Sequence, residues 1–217
     1  MILGGSNEER LYLYDAEFIY NGTNVQVKKT AMPNLREIVA RHKARYHLGA
    51  FLCRPGMKVL DFPCGSGYGY EILPKSVFYE GKDIDEVTIE YCNRLFQNKF
   101  SVGDLRNPSL EYCSYDLIMC IEGLEHIERE HQSTLINAFY DALDKGGKLL
   151  ITTPEGNSEP SRTNHYHLCE LAEGDFYRVL SKIFGDGNVQ IIRLSDVLHN
   201  GERKTCLYGI AEKEASW

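Results

Sequence analysis

Apolar and polar positions alternate along this chain in blocks of two kinds. Short blocks rich in apolar and β-branched or aromatic residues recur at 57–62, 77–82, 99–102, 115–121, 147–152, 189–194 and 205–211, and each reads as a strand. Between them, apolar residues fall at helical spacing over 67–73, 86–96, 132–144 and 169–184. An earlier helix is expected from Asn34, an N-cap with Glu37 three residues on, to the stop at Pro55-Gly56. Its apolar face carries Leu35, Ile38, Val39, Tyr46 and Cys53, with the basic residues largely opposite. Residues 1–33 keep no period; aromatics mix with acids and Asn21-Gly22 marks a tight turn, so a loop or short hairpin capping a main domain of 34–217 is expected.

Strands alternating with helices of this length predict an α/β fold. The expected form is a Rossmann-like, doubly wound, seven-stranded and mainly parallel sheet with helices on both faces. The last two strand blocks flank Asn200-Gly201, a turn signal that makes the final strand antiparallel.

Composition narrows the class. With 217 residues, 43% apolar and 25% charged, the chain is an ordinary globular domain, and no apolar stretch approaches the roughly 20 residues of a membrane helix. The first ten residues lack the basic segment and long apolar run of a signal peptide, so a cytoplasmic location is expected. Seven cysteines form no C-x-x-C pair and sit in apolar runs, the pattern of buried reduced thiols rather than a zinc knuckle. A net charge of −7 disfavours a general nucleic-acid surface, although Lys28, Lys29, Arg36, Arg41, Lys43 and Arg45 form one local basic stretch.

In open α/β sheets the ligand lies beyond the carboxyl ends of the strands, so the residues placed there carry the chemistry. The first strand of the sheet runs into V-L-D-F-P-C-G-S-G-Y-G (59–69), an acid followed by a glycine-rich turn where backbone approaches a ligand closely. The second ends in G-K-D-I-D (81–85) and the third in V-G-D-L (102–105). Asp83 lies 18 residues past Gly65, close to the spacing of a carboxylate that accepts ribose hydroxyls. One such acid is most often a helix cap; three in succession, Asp61, Asp83 and Asp104, are harder to explain that way.

Together with Y-D-L-I-M-C-I-E-G-L-E-H-I (115–127), these motifs resemble the class I S-adenosylmethionine-dependent methyltransferases, within the group whose fourth strand is followed by a Glu-His pair. The resemblance spans roughly 45–155 and implies S-adenosylmethionine as cofactor and S-adenosylhomocysteine as product. It also implies that Asp83 takes the ribose hydroxyls, that Ile84 packs on adenine, and that Asp104 and Leu105 meet the adenine edge. Asp61, Cys64, Gly65 and Gly67 are expected around the methionine part, with Cys120 and Tyr46 adjoining. Pro63 stands where the family often has a small residue; it donates no N–H, so that contact passes to Cys64 onward.

The resemblance further implies methylation of a sugar or another small polar acceptor, with His126, Glu125 and His167 as the catalytic candidates. A histidine suits proton removal near neutrality and an adjacent carboxylate strengthens it. If 122–126 begins a helix, Glu122, Glu125 and His126 share one face. No metal is expected on this reading. Two others fit the same residues: a metal-dependent RNA 2′-O-methyltransferase, with Glu122, Glu125, His126 and His167 as the metal set, and a catalytically silent cofactor-binding scaffold. His131 is expected at the surface, His42 and His47 as packing or surface residues.

Overall fold

The computed structural model describes residues 16–20, 25–29, 35–97, 99–162, 164–197, 201 and 203–215. Seven strands form one sheet in the order β5-β4-β3-β6-β7-β9-β8 and a separate pair, β1-β2, forms a hairpin. The chain divides into two compact units, Met1–Asp104 and Leu105–Trp217. Among the described residues, no helix is long and apolar enough to cross a membrane.

In the first unit, β1 (Ala16–Tyr20) pairs antiparallel with β2 (Val25–Lys29). The hairpin expected there is present, and its Asn21-Gly22 turn lies outside the described residues, as does the Asn34 cap. Helix α1 (Leu35–Leu52) leads to β3 (Lys58–Asp61), short helix α2 (Tyr68–Ile72), β4 (Phe78–Asp83), α3 (Glu86–Phe96) and β5 (Phe100–Val102). All three strands run parallel, with Asp61 opposite Gly81 and Asp83 opposite Val102. This register brings the ends of β3 and β4 to the same edge. Gly81 is required for it, because a Cβ there would stand 2.5 Å from the Phe100 ring.

The second unit holds β6 (Tyr115–Ile121), α4 (Arg129–Ala142), β7 (Leu143–Pro154), α5 (Glu173–Phe184), β8 (Val189–Val197) and β9 (Arg203–Glu212). β6 and β7 are parallel, while β9 lies antiparallel to both β7 and β8. The unbroken apolar run of β6 is the mark of a strand covered on both faces: Leu117 through Cys120 are all essentially buried. Leu135, Ile136 and Phe139 of α4 and Phe176 and Leu180 of α5 complete this core.

Two helix boundaries differ from the sequence pattern. The helix expected at 132–144 starts at Arg129 and yields to β7 at Leu143. The helix expected from 169 starts only at Glu173, because Glu170 is held extended by a bridge to Glu159. There the Glu170 N–H donates to Glu159 O and the Ser158 N–H to Glu170 O, at 3.1 and 2.7 Å. None of the seven cysteines is in a disulfide, and five of them are buried.

Candidate active site

Two groups of side chains stand at the strand ends, one in each unit. In the first unit, β3 delivers Asp61 and a cis Phe62–Pro63 peptide opens the glycine-rich turn. The turn's amides are used internally: the Cys64 N–H donates to Lys82 O (2.8 Å), Gly65 N–H to the Asp83 carboxylate (3.0 Å) and Gly67 N–H to Cys64 O (3.1 Å). Gly65 and Gly67 take positive φ, 51° and 89°, which glycine adopts without strain.

Asp83, only 1% exposed, is the best-fixed acid of the group. Its Oδ2 accepts from Gly65 N–H and its Oδ1 from Asp85 N–H, both at 3.0 Å. The two amides set the carboxylate plane rigidly at the end of β4. Asp85, by contrast, is the cap of α3, accepting from the Thr88 N–H (3.3 Å) and hydroxyl. Ile84, the residue after Asp83, and Asp104, just past β5, are both half-buried.

Asp61 is fully buried and occupied by two phenols: Tyr79 donates to Oδ2 at 2.7 Å and Tyr46 to Oδ1 at 3.3 Å. Gly69 packs directly upon it, since a Cβ there would lie 2.2 Å from Asp61 Oδ2. Burial raises the Asp61 carboxyl to about 8; the phenol hydrogen bonds oppose the shift and neighbouring Asp83 adds to it. Burial likewise pushes both phenols well above their ordinary range. A carboxyl with a raised folded-state pKa contributes stability that is complete below its ordinary value of 3.8 and lost as pH rises through about 8. Urea unfolding across pH 5–8 is therefore expected to show a fall of up to about 1.4 kcal/mol per pH unit from this group, absent in Asp61→Asn. Equal slopes in the two proteins would contradict the assignment.

Tyr46 and Arg45 are both buried, so the basic stretch on α1 is not a uniformly solvated face. His42 is half-buried against the Tyr68 ring, whereas His47 and His131 are exposed, as expected of packing and surface residues.

In the second unit, Leu105 and Cys120 are buried, Cys120 within β6. Beyond β6 the chain does not continue as a helix: Glu122 takes φ 49° and only a single 3-10 turn, Leu124–His126, follows. The shared helical face expected for Glu122, Glu125 and His126 is therefore not formed. Glu122 Oε1 accepts from the Thr152 hydroxyl (3.0 Å), while Glu125 Oε2 accepts from the Thr153 hydroxyl (3.1 Å). Adjacent strand residues point to opposite faces of a sheet, so these two threonines draw the two glutamates apart.

Glu125 instead joins His126 and His167, one ligand atom of each lying within 4.8 Å of the others. The His126 and His167 rings meet edge to face, centroids 5.1 Å apart. Three of the four residues of the metal alternative are thus assembled, and Glu122 is not part of the group. The turn bearing His126 is stitched to the segment bearing His167: the Leu168 and Cys169 N–H groups both donate to Glu125 O, at 2.7 and 3.1 Å.

Three supporting residues were not apparent in the sequence. Buried Gln132 donates to the carbonyls of Leu124, Ile127 and Cys169 at 3.1–3.3 Å, pinning turn and segment together. Glu170 stands 2.6 Å from His167 Nδ1, and the i, i+3 spacing of His and Glu was its only signal. Tyr79 presented no signal, since its role depends on the β3–β4 register.

A family model described as a methyltransferase domain matches residues 35–182. The chain belongs to that family. No curated relative matches the sequence of this methyltransferase. Solved structures agree with the fold at low identity. A S-adenosylmethionine-dependent methyltransferase of Methanosarcina mazei is 14% identical with a TM-score of 0.64, over 78% of this chain and 98% of that one. A phosphoethanolamine N-methyltransferase 2 of Haemonchus contortus, in complex with phosphomonomethylethanolamine and S-adenosylhomocysteine, is 13% identical with a TM-score of 0.63, over 80% and 52%. The [4+2]-cyclase SpnF shares the fold equally well, 12% identical with a TM-score of 0.64 over 86% and 85%. Architecture alone therefore leaves the acceptor chemistry to the residues of this methyltransferase.

Proposed function

We propose that this methyltransferase takes its methyl group from S-adenosylmethionine and passes it to a hydroxyl of a sugar or another small polar acceptor, with His126 receiving the proton. The observation that carries the acceptor side is the convergence of Glu125, His126 and His167. Support for the donor comes from Asp83, whose amide-fixed carboxylate suits a pair of ribose hydroxyls because an ionised carboxylate only accepts. The Haemonchus neighbour carries S-adenosylhomocysteine on the same architecture. Seven cysteines held as thiols accord with a reducing, cytoplasmic setting.

The reaction is an in-line displacement. The acceptor oxygen bonds to the methyl carbon as the sulfur–methyl bond breaks, giving a methyl ether and S-adenosylhomocysteine, and the hydroxyl proton passes to His126 Nε2. Removing that proton is the part the protein must supply, since the sulfonium already activates the methyl.

The same three side chains favour a second reading, in which Glu125, His126 and His167 hold a divalent cation and the acceptor is a ribose hydroxyl of RNA. Two imidazoles with one carboxylate suit Mn²⁺ better than Mg²⁺, and such a cation would polarise the hydroxyl as a Lewis acid. Methyl-labelled S-adenosylmethionine offered with sugars, nucleosides and short RNAs, with and without chelator, separates the two. Label is expected on a small-molecule hydroxyl and is expected to survive the chelator. Loss with chelator and recovery with Mn²⁺ would transfer the assignment to the second reading. Bound cofactor with no transfer to any acceptor would contradict both and leave a silent scaffold.

A further inference from the structure

We infer that Glu170 is a positioning residue for methyl transfer, holding His167 in its Nδ1–H tautomer so that the cluster offers only lone pairs to its acceptor. The inference rests on the hydroxyl-methylation reading above and deepens it.

A ring nitrogen's role is set by what its partner nitrogen bonds. His126 Nδ1 stands 3.0 Å from the carbonyl oxygen of Tyr166, which can only accept, so the hydrogen is on Nδ1. His167 Nδ1 stands 2.6 Å from Glu170 Oε1, and an ionised carboxylate also only accepts. In both neutral rings the lone pair is left on Nε2. With the Glu125 carboxylate, the three ligand atoms grouped within 4.8 Å of one another are then two imidazole lone pairs and a carboxylate oxygen.

Such a surface selects its partner by charge and hydrogen count. Hydroxyls bring the hydrogens it needs, and a sugar bearing neighbouring hydroxyls brings two. An acceptor anchored there through a carboxylate, phosphate or carbonyl oxygen would meet only lone pairs.

Glu170 is itself fixed on several sides. Its backbone is bridged to Glu159. Gly156 lies so close that a Cβ there would come within 2.4 Å of Glu170 Cβ and 2.6 Å of its carbonyl oxygen. The carboxylate therefore reaches His167 from a backbone that has little room to move. An outer partner of this kind typically matters by about 10- to 100-fold in activity.

The test is a long-range proton–nitrogen correlation spectrum of the ¹⁵N-labelled, chelator-treated full-length protein at mildly alkaline pH. Nε2 is expected to be the unprotonated nitrogen of both His126 and His167. Glu170→Ala is expected to release His167 toward the Nε2–H form and leave His126 unchanged. With an acceptor found in the labelling panel, kcat should fall about 10- to 100-fold with KM for S-adenosylmethionine unchanged. Glu170→Gln, whose amide oxygen still accepts, should keep the tautomer and more of the rate. A wild-type His167 with hydrogen on Nε2, or Glu170→Ala leaving tautomer and kcat untouched, would overturn the inference. The wild-type spectrum alone decides the tautomer if the Ala variant fails to fold. Because that spectrum needs no turnover, failure of the methylation reading would be seen separately, in the labelling panel.

Discussion

Replacing Asp83 with alanine is expected to weaken S-adenosylmethionine binding by about 100- to 1,000-fold in calorimetry. Hydrogen bonds to a charged group contribute roughly 1.5–3 kcal/mol each, and a ribose diol makes two of them, so a loss near 3–4 kcal/mol after relaxation corresponds to that factor. The substitution also removes the acceptor of the Gly65 and Asp85 amides, loosening the turn. Asp83→Asn is no milder on this account, because its amide nitrogen would face one of those two N–H donors. Affinity within threefold of wild type in both variants would show that the ribose lies elsewhere.

The second large effect concerns His126. His126→Ala is expected to lower methyl transfer by about 100- to 10,000-fold, the usual contribution of a positioned general base, with S-adenosylmethionine affinity unchanged. The separation follows from the placement of the residues: His126, held by the Tyr166 carbonyl, shares its cluster with Glu125 and His167 in the second unit, while Asp83 and the glycine-rich turn belong to the first. Single-turnover rates measured with saturating cofactor distinguish a lost base from lost binding. A variant that keeps a third or more of the wild-type rate would move the proton to another acceptor, with His167 the next to be replaced.

Much of the frame is legible in the sequence. Periodicity found all seven strands of the sheet because each is bounded by turn residues and is rich in buried apolar side chains, as at Tyr115–Ile121. The sequence Asn200-Gly201 signals a turn and so an antiparallel last strand, and β9 does pair antiparallel with β8, Asn200 itself lying outside the described residues. The strand-end acids stood out because parallel strands in register must bring their ends to one edge. Where the reading fell short, the deciding contacts were between segments distant in sequence. Glu122 was expected on a helical face with Glu125, but neighbouring threonines on β7, 30 and 28 residues away, separate them. Asp61 is expected to orient the methionine part of the cofactor, and nothing in the motif around residues 59–69 announces the two phenols that reach it from β4 and α1. The late start of α5 has the same origin: apolar spacing from residue 169 suits a helix, but the Glu159 bridge and the His167 contact keep Glu170 extended. Local pattern specifies elements; partners of buried polar groups are specified by register, which one sequence does not display.

A structure of the methyltransferase bound to S-adenosylhomocysteine tests the central claim most directly. The ribose 2′- and 3′-hydroxyls are expected within about 2.5–3.0 Å of the two Asp83 carboxylate oxygens, with the Gly65 and Asp85 amides still in place. A cofactor whose ribose sits out of reach of Asp83, or no cofactor bound at millimolar concentration, would contradict it.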